Sequence, residues 1–243
     1  MRHPLLFAAT AVLSVAALSA CSVGRAESAG PSVSRNYQVG AFTGLEVAGP
    51  FDVKVTTGRA VSVAATGPQK LLDETEVVVK DGKLLIRPKK KNWRAGMNWT
   101  SRDTSRFTIT VPALDQAAVA GSGDIDIDRV AGERFKGSIA GSGNLRLTQL
   151  AVQDLGLSIA GSGEITAAGQ AQRARYNIAG SGDLDASGVR TVDAEVRIAG
   201  SGNIQAQATG TARANIAGSG DIAITGGARC ETRKNGSGDI RCS

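Results

Sequence analysis

Aromatic residues and histidine are scarce in this sequence. Phe, Trp and Tyr together make up 4% of its 243 residues, whereas glycine occurs 31 times. A chain with so few large side chains cannot fill a thick globular core, so we expect a thin, elongated one. The only histidine, His3, lies in the N-terminal apolar stretch, so the rest of the chain offers no imidazole to a catalytic or metal site.

What the sequence does contain is the triplet Gly-Ser-Gly, seven times at steps of 18 to 20 residues. A helical solenoid needs repeats of about 33 residues or more, and this triplet is a poor helix interior. A coil of 18 to 20 residues has room for two or three short strands with tight corners. The spacing therefore predicts β-solenoid coils over residues 118–243. The triplets begin at Gly121, Gly141, Gly161, Gly180, Gly200, Gly218 and Gly236.

Apolar residues recur at fixed positions around each triplet. A parallel solenoid needs such columns, because one coil cannot bury its apolar side chains without the same position of its neighbours. The glycines are expected to form corners at positive φ, and the serine between them can bond to nearby backbone. The column before the triplets is Val119, Ile139, Ile159, Ile178, Ile198, Ile216 and Lys234, and the column after them is Ile125, Leu145, Ile165, Leu184, Ile204, Ile222 and Ile240.

Strand-like alternation begins before the repeats, from Tyr37 onwards. Apolar residues alternate along the segment from Leu45 to Val55, between glycine and proline breakers. Further on, Asp81 and Gly82 separate two apolar runs and predict a hairpin turn. These patterns extend the all-β prediction to the whole of residues 37–243.

The N-terminus has the composition of an export signal. Residues 1–20 contain a basic start at Arg2, an apolar run and then small residues, and they are too short for a permanent membrane span. The run Leu-Ser-Ala-Cys ending at Cys21 resembles the lipobox of bacterial lipoproteins, which predicts cleavage before Cys21 and lipidation of its thiol. An ordinary signal peptide with an incidental cysteine is the alternative. Residues 21–36 would then form a flexible tether to the lipid bilayer.

By resemblance to that class of lipoproteins, serine after the lipidated cysteine favours the outer membrane. The expected location is therefore the cell envelope, on an outer membrane lipoprotein facing the periplasm or the surface. The two other cysteines, Cys230 and Cys242, are an even pair in an exported chain and predict a disulfide, although two free thiols stay possible. Together with Lys234, which breaks the apolar column, this pair would cap the open solenoid end.

A basic segment with two tryptophans, residues 88–106, interrupts the strand pattern and is predicted to be a loop. From Lys80 to Arg106 there are nine Lys or Arg and two Asp, a net charge of +7 against +6 for the whole chain. Such a loop could bind anionic envelope glycans, lipid headgroups or surface proteins, and nucleic acid is not expected as a partner. Alternatively it is a solvated loop whose tryptophans cover the N-terminal end. The candidate binding residues are Lys89, Lys90, Lys91, Trp93, Arg94, Trp99 and Arg102.

Acidic and amide side chains form a further column directly after each triplet. Stacked at roughly 4.8 Å, like charges there repel, which makes a row of calcium ions an alternative interpretation. The nonapeptide calcium rolls repeat every nine residues, however, so solvated corners are the preferred interpretation and no metal or other cofactor is expected. The members of the column are Asp124, Asn144, Glu164, Asp183, Asn203, Asp221 and Asp239.

The stretches FTGLEVAGPFDVKV and VVVKDGKLLI and the tandem AGSGDI units together resemble the head GIN domain family, over residues 37–243. The resemblance implies a single-stranded right-handed parallel β-helix on an exported or lipid-anchored bacterial protein with an adhesin-like role. We therefore expect a non-enzymatic adhesion or binding scaffold without catalytic residues. A polysaccharide lyase or hydrolase on the same fold is the alternative, but its catalytic carboxylates would be unique, whereas the acidic residues here recur with the repeat.

Overall fold

The computed structural model describes residues 30–89 and 104–243. Within these ranges the chain forms a parallel β-solenoid of about 6 turns, with stacked coils about 20 residues apart in sequence. The predicted all-β class and the β-helix are therefore confirmed. This architecture follows from the repeat, because each coil buries its apolar side chains only against the coils before and after it.

The first turns of the solenoid are built from short strands. Asp81, with a φ of 50°, and Gly82, with a φ of 73°, form the tight turn between β5 and β6, as their order in the sequence predicted. The elements are β1 (Ser32–Tyr37), β2 (Gly44–Ala48), β3 (Phe51–Thr57), β4 (Ser62–Pro68), α1 (Gln69–Asp73), β5 (Thr75–Lys80), β6 (Lys83–Pro88), β7 (Ser105–Val111) and β8 (Gln116–Gly121).

The repeat coils contain much longer strands than the sequence predicted. Hydrogen bonding between coils continues around most of each turn, so five of these strands have 16 to 18 residues, and two or three short strands per coil was the wrong expectation. The strands are β9 (Asp124–Gly141), β10 (Asn144–Gly161), β11 (Glu164–Gly180), β12 (Asp183–Gly200), β13 (Asn203–Gly218), β14 (Asp221–Thr225), β15 (Arg229–Gly236) and β16 (Ile240–Cys242).

Strand pairing shows how the early short strands join the repeat coils. In the repeats, β9 to β13 pair in parallel in chain order, and β13 then pairs with both β14 and β15. The early strands β2 and β3 continue the same stack, since β2 pairs with β8 and β3 pairs with β9, both in parallel. Antiparallel pairs occur at the N-terminal end, where β1 pairs with β4 and β4 with β7.

Two predicted boundaries were wrong. Residues 32–36 were assigned to the flexible tether but belong to β1, whose backbone pairs with β4 along its whole length. Both bounds of the loop predicted over 88–106 fall inside strands, because Pro88 closes β6 and Ser105 opens β7. In both places pairing with a distant strand orders residues whose local sequence is polar and unpatterned.

The two predicted apolar columns form the core of the repeats. Their members from the first six triplets have exposed fractions of 3% or less, and the wider core also takes in Phe51, Phe107, Phe135 and Tyr176. Lys234 is exposed where the column before the triplets ends, at the C-terminal end of the stack. The columns are thus the packing unit of the solenoid, as expected.

The two glycines of each corner are needed for different reasons, as the triplet at Gly161 illustrates. Gly161 has a φ of +137°, and an added Cβ would collide with the carbonyl oxygen of Gly141 in the preceding coil. The second glycine, Gly163, lacks a positive φ, but its Cβ would collide with the carbonyl oxygen of Gly143. The serine between them, Ser162, is exposed and donates its backbone N–H to Gly141 O at 2.9 Å.

Candidate functional site

The basic segment predicted to bind ligands lies almost entirely outside the described residues. Lys90, Lys91, Trp93, Arg94, Trp99 and Arg102 all fall in residues 90–103, as Cys21 and the signal fall in residues 1–29. Lys89 lies within the described residues and is hydrogen-bonded to the C-terminal end of α1. Its backbone N–H donates to Glu74 O at 2.8 Å, and its ammonium group donates to the carbonyl of Asp73. Lys89 therefore anchors the start of the segment.

The predicted C-terminal disulfide is confirmed. Cys230 on β15 and Cys242 on β16 are bonded, with their Cα atoms 6.7 Å apart. In the strand register Cys230 follows Ala212 and Cys242 follows Ile224, both of which are buried. The bond therefore closes the open end of the apolar interior, as a cap would.

The acidic column after the triplets is used by the corners themselves. Asn144 donates its backbone N–H and its side-chain amide to Asp124 Oδ1, at 3.0 and 2.8 Å. Asn203 repeats both bonds to Asp183 Oδ1, at 3.2 and 2.9 Å. The amides thus separate carboxylates that would otherwise repel each other. Within residues 30–89 and 104–243, no three His, Cys, Asp or Glu side chains converge as a metal site.

Asp52 extends this column into the early strands, where it lies beside Asp124 in the register of β3 and β9. Burial raises the pKa of Asp52, and the neighbouring Asp124 charge adds to the shift. Arg106 offsets part of it from 3.9 Å. No asparagine separates these two carboxylates, in contrast to Asp124 and Glu164, which have Asn144 between them.

A different surface of the repeats carries charged side chains in rows. It is the outward face of the coils just before each triplet, and two rows of residues run along it, one residue per coil. We call them the outer charge row, seven residues before each triplet, and the central charge row, five residues before it. The outer charge row is Arg134, Asp154, Arg173, Asp193, Thr211 and Arg229, and the central charge row is Lys136, Gly156, Arg175, Glu195, Arg213 and Glu231.

Opposite charges pair between neighbouring coils within these rows. Arg173 binds Asp154 in a bidentate pair at 2.7 and 2.9 Å, and this bond lowers the pKa of Asp154. In the central charge row, Arg213 donates to Glu231 at 3.0 Å. Such pairs are cross-strand contacts between adjacent parallel strands, and they are attractive where the sign of the charge alternates from coil to coil.

The alternation fails at one place in the central charge row. Between Lys136 and Arg175, where an acidic side chain would continue the pattern, the residue is Gly156. A hollow of about 650 Å³ lies over this glycine, within the size range of ligand sites. We call it the Gly156 hollow. Its rim includes Arg134, Lys136, Ser138, Asp154, Ser158, Arg173, Arg175 and Asn177.

The fold does not require glycine at position 156. Gly156 has no positive φ, unlike the first glycine of each corner. An added Cβ would meet Lys136 Cγ at 3.8 Å and Phe135 O at 3.9 Å, which are ordinary van der Waals distances. A larger side chain could therefore stand there, and it would extend into the hollow.

Sequence reasoning missed this site. The signal was present, because counting back five and seven residues from each triplet lines up both charge rows. The apolar columns and the column after the triplets describe only the core and the corners.

The comparisons with known proteins point to one family. The model of the family described as "Putative auto-transporter adhesin, head GIN domain" matches residues 41–228 of this chain. No curated protein matches the chain. In the part of the chain that the structure describes, no helix is long and apolar enough to cross a membrane.

Solved structures with the same fold cover most of the chain. A putative adhesin from Bacteroides fragilis NCTC 9343 is 25% identical, with a TM-score of 0.80, over 88% of this chain and 97% of that one. A putative lipid binding protein from Parabacteroides distasonis ATCC 8503 is 28% identical, with a TM-score of 0.69, over the same shares. A putative adhesin from Parabacteroides merdae ATCC 43184, at 19% identity and a TM-score of 0.68 over 88% and 97%, shows the fold alone.

Proposed function

The chain belongs to the head GIN domain family, and from that premise we propose that it is a non-enzymatic adhesion protein of the cell envelope. The β-solenoid would serve as a stiff scaffold that presents a ligand-binding surface. The observation that carries this proposal is the Gly156 hollow, where the central charge row lacks the acidic side chain that would continue its alternation of sign. Repeated side chains support the fold, whereas recognition of one ligand needs a place that differs from the rest.

The cellular location in this proposal comes from the N-terminal sequence. Export by the signal in residues 1–20 and lipidation of Cys21 would attach the chain to the outer membrane. Because β1 begins at Ser32, the tether would consist of residues 22–31 and hold the solenoid close to the bilayer. The adhesin names of the relatives agree with a surface location.

The basic segment remains a second candidate surface. Lys90, Lys91, Trp93, Arg94, Trp99 and Arg102 combine positive charge with aromatic rings, which suits anionic glycans or lipid headgroups. Lys89 is left out of this set, because its ammonium group is bonded to the carbonyl of Asp73.

Binding of the full chain, purified in detergent, to an array of envelope glycans and to anionic vesicles tests the proposal. We expect saturable binding to at least one glycan and no change in that glycan after long incubation. A variant with Lys90, Lys91, Trp93 and Trp99 replaced by serine, but Lys89 retained, separates the basic segment from the solenoid face. Turnover of a polysaccharide that is lost on mutation of one carboxylate would contradict a non-enzymatic role.

A further inference from the structure

We propose that the Gly156 hollow binds the carboxylate of an acidic sugar, which takes the place that an acidic side chain occupies elsewhere in the central charge row. This inference rests on the proposed binding function and names the ligand class of its site. The pattern within the row itself points to the ligand. Arg175 and Arg213 have Glu195 between them in the register, whereas Lys136 and Arg175 have only Gly156.

The cations at the hollow are incompletely used by the protein. Arg175 donates to Glu195 at 3.3 Å on its far side and faces Gly156 on the other. Within the described residues, the side chains of Lys136 and Arg134 take part in no hydrogen bond or salt bridge, and Arg134 acts on Asp154 only through its charge. Lys136 and Arg134 therefore offer hydrogen-bond donors on one side of Gly156, and Arg175 offers a partly used donor on the other. The two oxygens of a carboxylate can accept hydrogen bonds from these groups.

The surroundings favour a single negative charge over a polyanion. Asp154 borders the hollow in the outer charge row and is already held by Arg173 at 2.7 and 2.9 Å. One coil beyond Arg175 the surface presents Glu195, and the outer charge row presents Asp193 there. A chain with an acid at every step would meet these carboxylates and be repelled. A ligand with one isolated acidic group avoids them.

The other rim of the hollow is suited to sugar hydroxyl groups. Ser138, Ser158 and Asn177 lie two residues from the central charge row, on consecutive coils. Hydroxyl and amide side chains can both donate and accept, as sugar hydroxyls do. A peptide is less suited, because the strand backbone here is already paired on both sides and leaves no edge for strand addition.

Calorimetry with a glucuronate-terminated trisaccharide and its carboxyl-reduced, glucose-terminated counterpart tests this assignment on the full chain in detergent. We expect the acidic trisaccharide to bind and the reduced one to bind at least about tenfold more weakly, as loss of a charge-assisted hydrogen bond implies. Gly156→Glu should abolish binding, because its carboxylate would occupy the position. Lys136→Gln should weaken binding about tenfold.

Arg213→Gln is the matched control, since it removes one positive charge from the same row but outside the hollow. It should leave affinity unchanged. Equal binding of the two trisaccharides, or wild-type affinity in Lys136→Gln, would overturn the acidic-sugar site while leaving the adhesion function intact if other glycans bind. Equally tight binding of a short peptide with one glutamate would also overturn it. Failure of every glycan on the array would overturn both proposals.

Discussion

Two regions of each coil, the Gly-Ser-Gly corner and the outward face before it, use glycine in opposite ways. At the corner, Gly161 adopts a φ that other residues rarely reach and lies directly over the carbonyl of Gly141. On the face, Gly156 has ordinary backbone and room for a side chain. The same residue type therefore closes the stack in one region and leaves a surface open in the other.

This difference separates architecture from recognition. The corner is repeated because every coil meets the same steric limit, so its sequence carries little information about a ligand. The face varies from coil to coil, and only pairing of opposite charges restrains it. A residue that departs from the repeat therefore alters the stability of the stack at the corner, whereas on the face it alters the surface that a ligand can meet.

The largest expected effect is that of alanine at Gly161, for which alanine at Gly156 is the comparison. Gly161→Ala should lower the free energy of unfolding by at least about 3 kcal/mol, since the backbone is strained and the Cβ collides with backbone rather than with a flexible side chain. Gly156→Ala should change it by less than about 0.5 kcal/mol. Urea denaturation of both variants measures the contrast, and equal losses would refute the distinction between the two regions.

Removing the C-terminal disulfide tests how far the stability of the last coil depends on this bond. Replacing Cys230 and Cys242 by serine opens a loop with a sequence separation of 12 and should cost about 3 kcal/mol. Because a solenoid is stabilised by nearest neighbours, the loss should be confined to β15 and β16. Hydrogen exchange should show faster exchange there and unchanged protection in β10 and β11. Uniformly faster exchange would contradict this local role.

Tyr176→Phe compares the interior with the face. The Tyr176 hydroxyl is buried and has no hydrogen-bond partner among the described residues, and burial raises the pKa of this phenol. Removing an unpaired buried hydroxyl while keeping the ring should stabilise the fold by about 1 kcal/mol. Tyr176→Leu, which also removes the ring, should destabilise it. A loss of thermal stability in Tyr176→Phe would show that the hydroxyl has a partner after all.

The smallest effect is a pair of opposite pH dependences. Because the pKa of Asp52 is raised, the folded state holds that proton more tightly, and ionisation destabilises the fold as pH rises past the usual carboxyl range. Asp52→Asn should therefore stabilise the protein at pH 7 and make no difference at low pH.

On the outward face the sign reverses. The bond from Arg173 lowers the pKa of Asp154, so its contribution to stability is present above the usual carboxyl pKa and is lost as pH falls through the lowered value. Asp154→Asn should destabilise the protein at pH 7. Denaturation curves of the Asp52 and Asp154 variants from pH 2 to pH 8 compare the two, and shifts of the same sign would contradict the assignment.

Much of the fold could be predicted because its physical causes are local or periodic. The two apolar columns, which are buried as far as Ile216 and Ile222, and the turn at Asp81 each follow from spacing or from residue type. β1 could not be predicted, because Ser32–Tyr37 is ordered by pairing with β4, more than 25 residues away. The hollow was not predicted either, since it depends on an absent side chain.

The sequence by itself determined the repeat, its apolar columns and the corners, because stacking equal coils requires the same residue at the same position in every turn. It also contained the alternating charges of the two rows. Only the tertiary structure decided that Lys136, Gly156 and Arg175 lie side by side on an outward face, since residues 19 or 20 apart become neighbours only after the coils stack. Repetition in the sequence therefore encodes the fold. The hollow depends on a single residue, Gly156, and on the neighbours that the stacking of coils brings beside it.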